Sequence, residues 1–100
     1  MDKKEVIKKV TQYKLLIRNH FDLDSVYLFG SYSNGTNRDD SDIDVAVVVK
    51  NIKGDYFDTT PLLWKIRRKI DERIEPVLID MNNDNSGFLE DIIKHGIKIS

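Results

Sequence analysis

From Lys3 to His20, apolar residues return every three or four positions: Val6, Ile7, Val10, Tyr13, Leu16 and Ile17, with lysines between them. That spacing predicts an amphipathic helix. The pattern then changes. Val26 to Phe29 is a short β-prone run that Gly30 stops. Ser31 to Gly35 predicts a turn opening a short helix, and Asn37 to Ser41 a polar loop. Ile43 to Val49 is apolar except for Asp44, the composition of a central strand. Lys50 to Thr60 reads as a connection. Thr60 and Pro61 then predict a helix start, with a capping hydroxyl before a proline at the first position. This helix is expected to reach about Arg73, with Leu62, Leu63, Ile66 and Ile70 inward. Val77 to Ile79 predicts a third strand and Met81 to Gly87 a loop. Phe88 to His95 predicts a helix with Leu89, Ile92 and Ile93 inward and Gly96 as its stop. Ile97 and Ile99 add an edge segment. The order α-β-(turn/α)-β-α-β-α predicts an α/β (α+β) sheet with helices packed mainly on one face.

The chain has 100 residues, room for one domain spanning 1–100 with a modest core. Sixteen basic residues face seventeen acidic ones, which argues against an extended nucleic-acid surface. Small anionic ligands stay available, because a bound cation reverses the local sign of a site. The absence of cysteine excludes disulfides and zinc–thiolate centres. No apolar run is long enough for a signal peptide or a membrane span, so a cytoplasmic protein without membrane contact is expected.

Chemistry concentrates between Gly30 and Asp44. Asp42 and Asp44 are separated by one residue, so on a strand they share a side, with Cα atoms about 6.5–7 Å apart. Two bare carboxylates at that spacing repel by about 2–3 kcal/mol at an effective dielectric near 20. Magnesium suits such a pair, since it takes oxygen ligands and is shared with substrate phosphates. Gly30 lets the backbone approach a phosphate, Ser31 offers a hydroxyl, and Gly35 permits a tight return. Two rival motifs fail. Thr36-Asn37 stands where a P-loop needs Lys-Ser/Thr. Val45 and Asn51 occupy the glycine and glutamate positions of a calcium loop starting at Asp40. A third acid is required as metal ligand or base. Glu75, entering the third strand beside Pro76, is the first choice; Asp80, of opposite parity, is the second.

Gly30-Ser31-x-x-x-Gly35 followed by Ser41-Asp42-Ile43-Asp44 and an apolar strand resembles the DNA polymerase β-like nucleotidyltransferase superfamily. With Ile74-Glu75-Pro76 and the ending from Phe88 to Gly96, nearly the whole chain is similar to its minimal members, the MNT proteins. The resemblance implies a nucleotidyltransferase fold: a small mixed sheet with the acids on its open face. It implies that Gly30, Ser31 and Gly35 bind the nucleotide phosphates. Asp42, Asp44 and Glu75 would be catalytic and hold two Mg2+ ions, Glu75 standing where the family more often has aspartate. The implied reaction moves NMP, AMP from ATP above all, to a hydroxyl acceptor. With no acceptor domain expected, the acceptor surface is borrowed. Minimal members pair with helical HEPN proteins as antitoxin and toxin. A catalytically silent antitoxin binding its HEPN toxin by contact is the alternative, and a small-molecule modifier the third reading. Oligomeric state stays open.

The remaining residues carry less. Lys65, Arg67, Arg68 and Lys69 predict a solvated helix face, and Trp64 the edge of the core. Tyr32 and Tyr56 are candidates for stacking on a base, and Arg38 for reaching a phosphate or pairing with Asp39 or Asp40. His20 and His95 end helices, where a cation suits the dipole.

Overall fold

The computed structural model describes residues 2–38, 40–50, 56–82 and 87–100, with the side chains of 56–59 outside that description. The apolar periodicity becomes helix α1 (Lys3–Ile17), capped at its start by the Asp2 carboxylate, which accepts from Glu5 N–H. Strand β1 (Leu23–Phe29) runs into the short helix α2 (Ser31–Asn34). Strand β2 (Ile43–Val49) follows, then α3 (Tyr56–Arg67), β3 (Ile74–Asp80), α4 (Phe88–His95) and the two-residue β4 (Ile97–Lys98). The sheet order is β3-β2-β1-β4, so β2 and β1 are central and β3 lies at an edge. β2 runs parallel to β3 and antiparallel to β1, which makes the sheet mixed.

Strand alternation sorts the sheet into two faces. Val26, Leu28, Ile43, Val45, Val47 and Val49 join Val6, Val10, Tyr13 and Ile17 of α1 and Leu63 and Ile66 of α3 in the main core. Tyr27, Ala46, Val48 and Ile79 turn the other way and pack on Ile92 of α4. The two long helices thus share one face as expected, and α4 covers part of the other. The Tyr13 hydroxyl donates to Leu63 O at 2.8 Å and ties α1 to α3; burial pushes that phenol well above its usual pKa.

Several boundaries and orientations differ from expectation. Thr60 and Pro61 do not open a helix. Pro61 lies inside α3, in its second turn, where its missing N–H removes only the bond to Phe57 O. The Thr60 hydroxyl caps nothing: it is buried with no hydrogen-bond partner among the described residues. α3 ends at Arg67 instead of Arg73 and relaxes through tighter turns, such as Ile70 N to Arg67 O at 3.0 Å. Ile93 is 55% exposed instead of inward, because the narrow buried stripe of α4 runs through Ile92 and partly buried Leu89. Gly96 does stop α4, but with extended backbone (φ −83°) and not in the left-handed conformation. Its missing side chain serves close approach, since a Cβ there would stand 2.7 Å from Ile92 O and 3.1 Å from Leu28 O. β1 and β3 begin earlier than expected, at Leu23 and Ile74, so Glu75 sits within the strand instead of before it. Residues 51–55 of the expected Lys50–Thr60 connection and 83–86 of the expected Met81–Gly87 loop lie outside the described residues, as do Asp39 and the Tyr56 side chain, while the last five residues of the first connection, from Tyr56, are already helix.

The entry to β3 is anchored by Asp71, 10% exposed at its side chain, which accepts from Lys9 Nζ at 2.8 Å and Arg73 Nη2 at 2.9 Å. It also accepts from Arg73 N–H at 2.9 Å. The Arg73 contacts, with Lys9 adding to them, hold its carboxyl well below the usual range against the opposing effect of burial. A carboxylate with a depressed folded pKa stabilises the protein above its unfolded pKa, and that contribution fades as pH falls through the folded value. Asp71→Asn is therefore expected to cost about 2–3 kcal/mol at pH 7. The cost should shrink once the pH drops below about 4, where the unfolded carboxyl protonates. Urea melts of both proteins at several pH values check this.

Candidate active site

Register decides what the acids do. In the parallel β2–β3 pair Asp44 is the partner of Glu75, so their side chains leave the same face of adjacent strands, about 4.8 Å apart at the backbone. This is the face opposite the main core. Asp42, two residues before Asp44, is exposed and precedes the strand. A small loop delivers it: Arg38 N–H donates to Ser41 Oγ at 2.7 Å, and Ser41 N–H donates back to Arg38 O at 3.1 Å. On β1, Phe29 is the other register partner of Asp44, which places the Gly30 turn beside that carboxylate.

Gly30 has φ +72° and ψ −144°, a conformation that side-chain-bearing residues rarely adopt. A Cβ there would stand 2.3 Å from Asp44 Oδ2. The turn therefore needs glycine twice, once for its backbone and once because the Asp44 carboxylate lies against it. The Gly30 carbonyl accepts from Ser33 and Asn34 N–H at 3.1 and 3.2 Å, starting α2, whose first residue is the half-buried Ser31. Gly35 closes the far end of α2 with φ +81°, its N–H already donated to Ser31 O. That conformation gives the tight return, with the Gly35 N–H engaged inside the turn.

Electrostatics agree with the register. Burial and then the charge of Asp42 raise the pKa of Asp44. Burial, the charge of Asp42, a hydrogen bond with Asp42 and the charge of Asp44 raise that of Glu75, with Arg67 opposing. The negative charge of Asp42 thus disfavours ionisation of both Asp44 and Glu75. Among the described residues, however, no group of three or more His, Cys, Asp or Glu stands ready as a metal cage. Asp80 is excluded from the cluster: it lies five residues along β3 on the opposite face and accepts from Asn82 N–H at 3.0 Å.

The polymerase β nucleotidyltransferase family model matches residues 11–100, most of the chain and every residue of this cluster. The chain belongs to that family. Among nucleotidyltransferases, the protein adenylyltransferase MntA of Shewanella oneidensis is 32% identical over 83 residues, covering 83% of this chain. The chain spans 58% of that relative's length. A solved structure from Sulfolobus solfataricus, assigned as a nucleotidyltransferase, superposes with a TM-score of 0.70 at 24% identity, over 96% of this chain and 80% of that one. The Shewanella oneidensis complex of a tri-AMPylated HEPN toxin with its MNT antitoxin does so at 0.62 and 22%, over 98% and 71%. Both structures share the fold of this chain.

Other parts of the site were not visible in the sequence. A cavity of about 390 Å³ lies against the Gly30 turn, between α2 and α4, with Phe29, Asn34, Phe88 and His95 in its lining. The Phe29 and Phe88 rings meet edge to face, with centroids 5.7 Å apart. Phe88 reads in sequence only as an apolar helix residue, so nothing local announced this contact. Tyr32 is 1% exposed and its hydroxyl points to Arg38 O at 3.4 Å, so it supports the loop and does not present a ring to a base. Arg67 is no solvated helix residue either: it is half-buried and donates to main-chain carbonyls at the start of β3. Trp64 is 37% exposed, with the Arg67 guanidinium over its ring. No helix among the described residues is long and apolar enough to cross a membrane.

Proposed function

We propose that this chain transfers NMP, AMP from ATP above all, to a hydroxyl on a helical HEPN-type partner, as the antitoxin of a toxin–antitoxin pair. The observation that carries the reading is the in-register pairing of Asp44 with Glu75, with Asp42 alongside and Gly30 against the Asp44 carboxylate. Support also comes from the likeness to MntA, a protein adenylyltransferase, and to an MNT antitoxin in complex with an AMPylated HEPN toxin.

The donor set fits Mg2+: oxygen ligands only, on carboxylates that repel each other until a cation intervenes. Asp42 and Asp44 would hold it, with Glu75 as further ligand or as base. Bound there, magnesium supplies charge neutralisation at the α-phosphate and lowers the proton affinity of the acceptor hydroxyl. The chain's own groups do the rest. Gly30 allows the phosphates to approach the backbone, and Ser31 offers its hydroxyl as donor. The acceptor oxygen forms a bond to the α-phosphorus, the bond to the bridging oxygen breaks, and pyrophosphate leaves on the side of the turn. The acceptor's proton goes to a Glu75 carboxylate oxygen and on to water. The cavity beside Gly30 leaves room for the nucleoside. A cytoplasmic setting follows from the need for NTP and magnesium.

The test is to co-purify the chain with its partner and incubate the two with α-labelled ATP and Mg2+. Label retained on the partner, with one pyrophosphate released per label, is the expected result. A stable complex that takes up no label supports the silent antitoxin instead.

A further inference from the structure

β3 is an edge strand, so among the described residues only one side of its backbone meets another strand. The Ile43 N–H donates to Arg73 O at 2.8 Å and sets the alternation of the parallel ladder. By that alternation the backbone groups of Arg73 and Glu75 turn toward β2, and those of Ile74 and Pro76 turn toward the open edge. Pro76 loses nothing there, because its missing N–H would face outward. The Ile74 carbonyl does face outward, and it has a partner from another element.

That partner is Arg67, the last residue of α3. Its Nη1 donates to the carbonyls of Glu72 and, at 3.1 Å, Ile74. Three successive carbonyls are therefore gripped, those of residues 72 and 74 by Arg67 and that of residue 73 by the acid-bearing strand. The guanidinium carbon lies 4.5 Å from the Trp64 ring centroid, three residues earlier on α3, which fixes it as a cation over an aromatic face. Its Nε is buried with no hydrogen-bond partner among the described residues. A side chain that leaves a buried donor unmet to reach two carbonyls is committed to them. The strand residue next to this grip is Glu75.

We infer that Arg67, held over Trp64, is a positioning residue: it takes the place of a further strand at the open edge of β3 and sets how closely the Glu75 carboxylate approaches Asp42 and Asp44. The inference rests on the function proposed above. Arg67 acts on Glu75 through the backbone carbonyls before it, and its charge also favours the ionised Glu75 carboxylate. A methionine keeps most of the aliphatic length and removes every donor. A lysine restores the charge and a single donor point in place of the planar fork.

The experiment uses the full chain without nucleotide or partner, with Mn2+ binding read by water-proton relaxation. Transfer kinetics with partner follow in parallel. Arg67→Met is expected to weaken Mn2+ binding by about tenfold and lower kcat by a similar factor, while KM for NTP changes by less than about threefold. Arg67→Lys is expected to fall between that variant and the parent. Parent-like Mn2+ affinity and kcat in a folded Arg67→Met chain overturn the inference and leave the proposed function standing. If Arg67→Met does not fold, Arg67→Lys decides: weakened Mn2+ binding supports the role, and parent-like binding overturns it. A parent chain that neither binds Mn2+ nor transfers label overturns both readings.

Discussion

The Asp42→Asn/Asp44→Asn double variant is expected to lose NMP transfer by at least about a thousandfold, because it removes the charges proposed to hold the metal and face the α-phosphate. It is also expected to melt no lower than the parent. Burial and Asp42 raise the pKa of Asp44, so its ionised form is disfavoured in the folded protein. An acid whose folded pKa lies above its unfolded value destabilises the fold at pH above both, and the penalty vanishes as pH falls below them. Asparagine removes that penalty at every pH. Loss of activity with retained or increased melting temperature separates a functional pair from a structural one. Thermal melts at pH 7 beside the label assay make the comparison. A lowered melting temperature would mean that the carboxylates hold the fold together.

Gly30→Ala is the second change with a large expected effect. The new Cβ would stand 2.3 Å from Asp44 Oδ2, so the carboxylate must move. The backbone at φ +72° and ψ −144° adds strain of about 1–3 kcal/mol. Displacing a catalytic group by about 1 Å is expected to cost about a hundredfold in kcat. Gly35→Ala is the matched control. It also requires positive φ, +81°, yet nothing lies within 4 Å of its would-be Cβ. It should therefore lose stability by about 1–2 kcal/mol while keeping most of its activity. Comparing kcat and melting temperature across the two variants checks whether the collision with Asp44, and not glycine strain in general, controls catalysis. Equal activity losses in both would contradict it.

Much of this architecture was legible because its signals are local. Val6 to Ile17 repeat at helical spacing, and Ile43 to Val49 can hardly be anything except a buried central strand. The Gly30 turn followed by Asp42 and Asp44 carried the family, and the place of Glu75 at the strand's entry, with Asp80 at its end and of opposite parity, favoured Glu75 over Asp80. What failed depended on tertiary context. Thr60 and Pro61 form a good helix start in isolation, yet the helix begins upstream and tolerates the proline in its second turn. Gly96 resembles a left-handed cap but exists to let Ile92 O and Leu28 O come close. Arg67 sits in a basic run that looks solvated; only the open edge of β3 shows why it turns inward. The Phe29–Phe88 contact joins residues far apart in sequence, and no periodicity encodes it.

The most direct test of the three-acid site is a crystal structure of the chain with Mn2+ and a non-hydrolysable ATP analogue. Anomalous peaks within about 2.2 Å of Asp42 and Asp44 oxygens are expected, with phosphates against Gly30 and Ser31 and Glu75 facing the same ions. A nucleotide bound elsewhere, or seated at the turn with no metal on Asp42 or Asp44, would contradict the account.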